Sequence, residues 1–172
     1  MNYKALLKDV KTMIFDYDGV MTNGIIVLNT DGDPMRTANV KDGYALQLAK
    51  RLGYNIAIIS GGISPSMHTR FKALKIEDVF LGVTDKKVVF NQYVQEKNLK
   101  PEQIVYMGDD IPDYHVMKAV GVAVCPADAA QEIKKICVYI SHFKGGEGCV
   151  RDIIEQVLKA QGKWLTEEAY KW

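Results

Sequence analysis

The sequence predicts a three-layer α/β fold, with a mainly parallel sheet covered by helices on both faces. Six short apolar runs recur along its 172 residues. They are continuously apolar rather than alternating, as strands buried on both faces are. Residues at helical spacing separate most of them, which is the order a parallel sheet requires.

The runs are Thr12–Phe15, Asn55–Ile59, Val79–Gly82, Ile104–Met107, Gly121–Val124 and Val138–Ile140. Between the first two, Ala45, Leu48, Ala49 and Leu52 fall on one helical face. Val88, Val89, Tyr93 and Val94 do the same later, and Val150, Ile153, Ile154, Val157 and Leu158 follow the last run. One stretch breaks the alternation. Ile25–Leu28, the turn-forming Asn29-Thr30-Asp31-Gly32-Asp33, and Met35–Val40 read as a β-hairpin over about residues 24–40, turning at Asp31-Gly32. Inserted straight after the first strand, such a hairpin projects from the main sheet. Its apolar residues then need a partner in this chain or in another subunit. Residues 162–172 read as a tail.

Composition narrows the function classes. A chain of this length reads as a single domain over residues 1–172, long enough to bury a core. With 48% hydrophobic and 25% charged residues, it lacks the composition of a disordered chain. A net charge of +1 gives no steering toward nucleic acid or an anionic membrane, so neither is expected as a partner. The N-terminus carries no apolar leader run and no segment could span a bilayer, which predicts a cytoplasmic location. Cys125, Cys137 and Cys149 have neither metal-ligand nor CxxC spacing and are expected as free thiols.

In an open parallel sheet, ligands bind where loops leave the carboxyl ends of the strands. Those ends carry Asp16-Tyr17-Asp18, Ser60-Gly61-Gly62, Thr84-Asp85-Lys86 and Gly108-Asp109-Asp110-Ile111-Pro112-Asp113. Several carboxylates, a hydroxyl among glycines and one lysine suit a magnesium ion beside a phosphate. Asp16 is the candidate nucleophile, because a carboxylate can accept a phosphoryl group and divide one displacement into two. Asp18 is the candidate acid and base, and its side chain is then expected to stay clear of the ion. Asp16, Asp18 and Asp109 make up the expected metal group. Ser60 would hold phosphate oxygens and Lys86 would neutralise their charge. Asp110 and Asp113 are expected behind them, orienting the ion's surroundings or Lys86. A phospho-accepting receiver-type signalling domain also joins acids, a hydroxyl and a lysine on such a sheet. It needs no acid or base two residues after the nucleophile, and the second acidic cluster comes too late in the chain for it.

The ordered set Asp16-x-Asp18-Gly19-Val20-x-Thr22, Ser60, Lys86 and Gly108-Asp109-Asp110-x-x-Asp113 resembles the haloacid dehalogenase superfamily of phosphotransferases. The resemblance implies a Rossmann-like core and Mg²⁺. Neither interval that usually carries an inserted cap domain is long enough for one, so a cap-less member is expected. Within that subclass, Asp18–Gly24, Asn39–Tyr44, Gly145–Asp152 and Leu158–Lys163 resemble the phosphatases of phosphorylated 2-keto-3-deoxy sugar acids. That resemblance implies an eight-carbon substrate, with a nine-carbon 9-phosphate as rival. It also implies a homotetramer, built by the hairpin, in which a neighbouring subunit covers each active site. Thr22, Lys41, Asp42, Ser60, Gly61 and Gly62 then join the phosphate and substrate contacts. Ser60-Gly61-Gly62 stands where Thr-Gly-Arg is usual. The missing cation is expected from Lys41, Arg70 or Arg151.

Overall fold

Successive residues of β1 (Thr12–Phe15) divide between two cores. Met13 and Phe15 point to one side of the sheet and Ile14 to the other, and all three are fully buried. The same division runs through β4 (Asn55–Ile59), where Ile56 and Ile58 oppose Ala57 and Ile59. Two-sided burial explains why these strands read as unbroken apolar runs.

The structure, a computed structural model, describes residues 2–32 and 34–171. Asp33 of the expected turn, Met1 and Trp172 lie outside it. The sheet is completed by β5 (Asp78–Phe80), β6 (Ile104–Met107), β7 (Val122–Cys125) and β8 (Tyr139–Ile140). Its order is β5-β4-β1-β6-β7-β8 and every pairing is parallel. The expected α/β fold is therefore the observed one, with β1 inside the sheet and no cap domain among the described residues. On one face lie α2 (Val40–Arg51), α3 (Pro65–Ala73) and α7 (Cys149–Ala160). On the other lie α4 (Lys86–Glu96), α5 (Tyr114–Met117) and α6 (Gln131–Lys134).

The helix near Val88 forms with most of its expected face: Tyr93 is buried and Val89 and Val94 pack against the core, but Phe90 is buried in place of Val88, which is 50% exposed. The start of α4 sets this difference: Asp85 accepts from the N–H groups of Lys87 and Val88, and Lys86 is directed inward.

The hairpin is shorter than expected. Val27–Leu28 (β2) pairs antiparallel with Pro34–Met35 (β3), Val27 opposite Met35, as a separate two-stranded sheet. Extended structure does not continue to Val40, because the Asn39 side chain caps α2 by accepting from the Lys41 and Asp42 N–H groups. Residues 162–171 fold back rather than trail away. Tyr44 donates to the Ala169 carbonyl, and Arg51 donates to the carbonyls of Glu168 and Lys171. Among the described residues, no helix is long and apolar enough to cross a membrane. All three cysteines are free thiols.

Candidate active site

The first site residue is an extension of the central strand. The Asp16 N–H still donates to the Met107 carbonyl at 3.0 Å, so the carboxylate sits at the sheet's carboxyl edge, 6% exposed. Its Oδ1 accepts from the Tyr17 N–H at 2.7 Å and from Lys86 Nζ at 2.9 Å. Gly19 then takes φ of +86°, which lets the chain turn past Asp109. A Cβ at Gly19 would run into the Asp109 carboxylate.

Lys86 bridges two acids. Its ammonium lies 2.9 Å from Asp16 and 2.7 Å from Asp113. Asp113 is saturated: Oδ1 also accepts from the Tyr106 hydroxyl at 2.7 Å, and Oδ2 from the Asp109 N–H at 3.2 Å. Burial works against the Lys86 charge, yet Asp16 and Asp113 more than offset it and raise its pKa. Tyr106 is held well above the usual tyrosine range, by burial first and then by Asp113. Asp113 thus orients Lys86 from behind.

Carboxylate oxygens of Asp16, Asp109 and Asp113 come within 4.8 Å of one another, a spacing that can hold a metal ion. With both Asp113 oxygens already engaged, Asp16 and Asp109 are the donors left for it. The electrostatics fit a cation. Burial and then the neighbouring acids raise the pKa of both Asp16 and Asp109, so each resists ionisation beside the other. Hard carboxylate oxygens are the donors Mg²⁺ prefers.

Asp18 departs from the expected metal group. Its side chain lies outside the three-carboxylate cluster, as expected of the acid and base, yet still lines the same cavity, where it forms a bidentate ion pair with Arg36, Nε–Oδ1 2.6 Å and Nη2–Oδ2 2.9 Å. Arg36 also donates to the Pro34 carbonyl at 3.0 Å, so the residue just beyond the hairpin's second strand reaches the site. No spacing rule pointed to Arg36. The one available signal was Gly62, where a Cβ would stand 2.7 Å from Asp18 Oδ2 and 2.8 Å from Arg36 Nη2.

A cavity of about 600 Å³ opens over these groups, lined among others by Asp16, Asp18, Ser60, Gly62, Lys86 and Asp109. Gly61, Asp110 and Asp113 also line it. Ser60 is buried and its Oγ accepts from the Gly62 N–H at 3.1 Å, leaving its proton free for a ligand oxygen. Asp110 instead accepts from the Ile111 N–H at the start of a short helical turn.

The remaining expected contacts are not brought to this cavity. Thr22 is fully buried, and its hydroxyl accepts from the N–H groups of Gly19 and Gly24 and donates to Asp18 Oδ1 at 3.5 Å, bracing the loop and the candidate acid and base from behind. Asp42 is buried and accepts from the Arg151 N–H at 2.7 Å, joining α2 to the start of α7. Lys41 is exposed on α2. Arg70 donates to the Asn39 carbonyl, and Arg151 lies over the rings of Tyr44 and Trp164. Asp42, Arg70 and Arg151 thus tie α2 to the helices beside it.

A buried strand-end carboxylate paired with a lysine, a second acid two residues on and a free hydroxyl define a phosphoryl-transfer centre. The sequence profile of the haloacid dehalogenase-like hydrolases matches residues 75–153. A 3-deoxy-D-manno-octulosonate 8-phosphate phosphatase of Salmonella typhi is 33% identical over 156 residues, covering 91% of this chain and 83% of the relative. The phosphatase of that name from Yersinia pestis superposes with a TM-score of 0.92 at 32% identity, over 95% of this chain and 88% of the other. The one from Moraxella catarrhalis, solved with magnesium, phosphate and a KDO molecule, gives 0.92 at 30% identity over 95% of each chain. The chain belongs to the haloacid dehalogenase-like hydrolase family and is a phosphatase.

Proposed function

We propose that this phosphatase hydrolyses a phosphorylated 2-keto-3-deoxy sugar acid, 3-deoxy-D-manno-octulosonate 8-phosphate, to the free sugar acid and phosphate. The observation that carries the chemistry is Asp16, buried at the cavity floor and 2.9 Å from Lys86, with Asp18 facing the same space. The named relatives support the substrate. The whole chain acts as one catalytic domain, in the cytoplasm.

Asp16 attacks phosphorus as the bond to the sugar oxygen breaks, forming an aspartyl phosphate. Asp18 delivers a proton to the departing oxygen. It then takes a proton from the water that attacks the phosphoaspartate, which releases phosphate and restores Asp16. Lys86 offsets charge on the transferring oxygens, and Ser60 donates to one of them. Asp16 and Asp109 would hold Mg²⁺, which would reduce repulsion between the carboxylate and the phosphate. Asp113 keeps Lys86 in place throughout.

The assembly we propose is a homotetramer joined through the hairpin, with a neighbour completing each site. Ile25, Val27, Leu28 and Met35 support it, since they expose 63%, 57%, 68% and 48% of their surface on one small sheet.

Steady-state kinetics with eight- and nine-carbon keto-sugar-acid phosphates and a hexose phosphate test this reading. The eight-carbon substrate is expected to have the highest kcat/KM. A preference for the nine-carbon compound would replace the substrate, and equal values for all three would remove the specificity.

A further inference from the structure

We propose that Arg36 is a substrate-operated latch on Asp18, released when the carboxylate of the substrate takes over its guanidinium. The inference rests on the sugar-acid reading above and deepens it.

The geometry sets the problem. Both Asp18 oxygens accept from one guanidinium, at 2.6 and 2.9 Å. With both oxygens clamped by the guanidinium and the Thr22 hydroxyl also 3.5 Å from Oδ1, the carboxylate is not free to follow a leaving group, so the pair must open for Asp18 to serve as acid and base. Arg36 cannot simply let go. Its side chain is 4% exposed, against 29% for Asp18, and a guanidinium that deep needs another anion if it loses this one.

The cavity indicates which anion. Among the described residues, Lys86 is the one lysine or arginine lining it, and that ammonium is shared by Asp16 and Asp113. Arg36 does not line the cavity but lies directly behind Gly62 and Asp18, which do, so it is the next cation for a substrate that carries a carboxylate in addition to its phosphate. Guanidinium and carboxylate match as planar two-point partners, so a substrate carboxylate can replace Asp18 like for like.

Gly62 makes the latch possible. It lines the cavity where Arg36 meets Asp18, and a Cβ there would press on Asp18 Oδ2 at 2.7 Å and Arg36 Nη2 at 2.8 Å. The latch is thus built from three segments: the loop after β1, the stretch after β3 and the turn after β4.

A phosphate ester lacking a carboxylate can reach Asp16 but cannot open the pair. Selectivity then arises in the release of Asp18 as well as in binding. The test is the kcat/KM of wild type, Arg36→Ala, Arg36→Lys and Gly62→Ala on two substrates, 3-deoxy-D-manno-octulosonate 8-phosphate and glucose 6-phosphate. Arg36→Ala is expected to lower the value for the keto acid by about 30-fold or more, the loss of a two-point charged contact. The same variant is expected to raise the value for glucose 6-phosphate several-fold. Arg36→Lys should keep part of the keto-acid rate. Gly62→Ala retains the charge while prying the pair apart, so it should also raise glucose 6-phosphate turnover.

A parallel fall on both substrates in Arg36→Ala, or an unchanged ratio, would overturn the latch, as would a Gly62→Ala enzyme with no gain on glucose 6-phosphate. A wild-type enzyme inactive on the keto acid but active on other phosphates would instead overturn the substrate reading, and the two failures are distinct.

Discussion

Asp16 and Asp18 stand two residues apart yet belong to different kinds of structure. Asp16 is embedded in the sheet edge, tied to β6 through its backbone and to Lys86, Asp113 and Tyr106 through a chain of buried polar contacts. Asp18 is partly open, and its partner comes from beyond an exposed two-stranded sheet. The first arrangement is as rigid as the core around it. The second can be remade by a single side chain, which is what a group that must meet and release a substrate requires. Rigid preorganisation serves the group that reacts at phosphorus, and an exchangeable contact serves the group that trades protons.

The contrast breaks most sharply at Asp16. Asp16→Asn is expected to lower kcat by at least about a thousandfold, since an amide cannot accept the phosphoryl group. Its melting temperature should hold, because the amide oxygen still accepts from Tyr17 and Lys86; a variant with wild-type turnover would remove Asp16 as nucleophile.

Lys86→Met should damage both chemistry and fold. It leaves two buried carboxylates without their shared ammonium, and urea titration should register a loss of about 3–5 kcal/mol. A stability change near zero would mean that the embedded half is less dependent on this ion pair than its burial implies.

Asp42 sharpens the comparison on the packed side. Burial raises its pKa from 3.8 to about 6 against the lowering effect of the Arg151 N–H, and its Oδ2 is buried without a hydrogen bond. A carboxyl raised in the folded state contributes stability that is fully present below pH 3.8 and lost as pH rises through about 6. The wild-type stability should therefore fall by about 3 kcal/mol across that window on this account, and Asp42→Asn should flatten the decline. Equal slopes in the two proteins would show that Asp42 does not ionise in the fold.

The smallest expected effect on folding is at the hairpin. Leu28→Asp should change the stability of the isolated subunit by no more than about 0.5 kcal/mol, because the side chain is 68% exposed. Sedimentation should nevertheless show loss of assembly. An unchanged assembly would place the subunit contact elsewhere.

Much of this architecture was legible in advance for one reason. A strand buried on both faces has no choice of residue type, so β1, β4 and β6 could be bounded to the residue from apolar runs. β5 begins one residue before its expected run and ends two residues short of it, β8 begins one residue late, and even the buried β7 lies one residue later at each end. Asp16, Ser60, Lys86 and Asp109 followed because a parallel sheet gathers its strand ends at one edge. Asp42, Arg70 and Arg151 lie away from the cavity lining, where their hydrogen bonds and ring contacts join helices, whereas the Thr22 hydroxyl donates to Asp18. Asp18 off the metal group was readable from the role of an acid and base; its partner was not.

Local sequence therefore decided the strands, their order along the chain and the acids at their ends, since each depends on a residue's own size, polarity and spacing. Tertiary structure alone decided that Tyr106 shares Asp113 with Lys86, that Asp42 joins two helices, and that Arg36 closes on Asp18 in the space Gly62 leaves. Those contacts join residues distant in the chain, and no period or spacing encodes a distance that only folding creates.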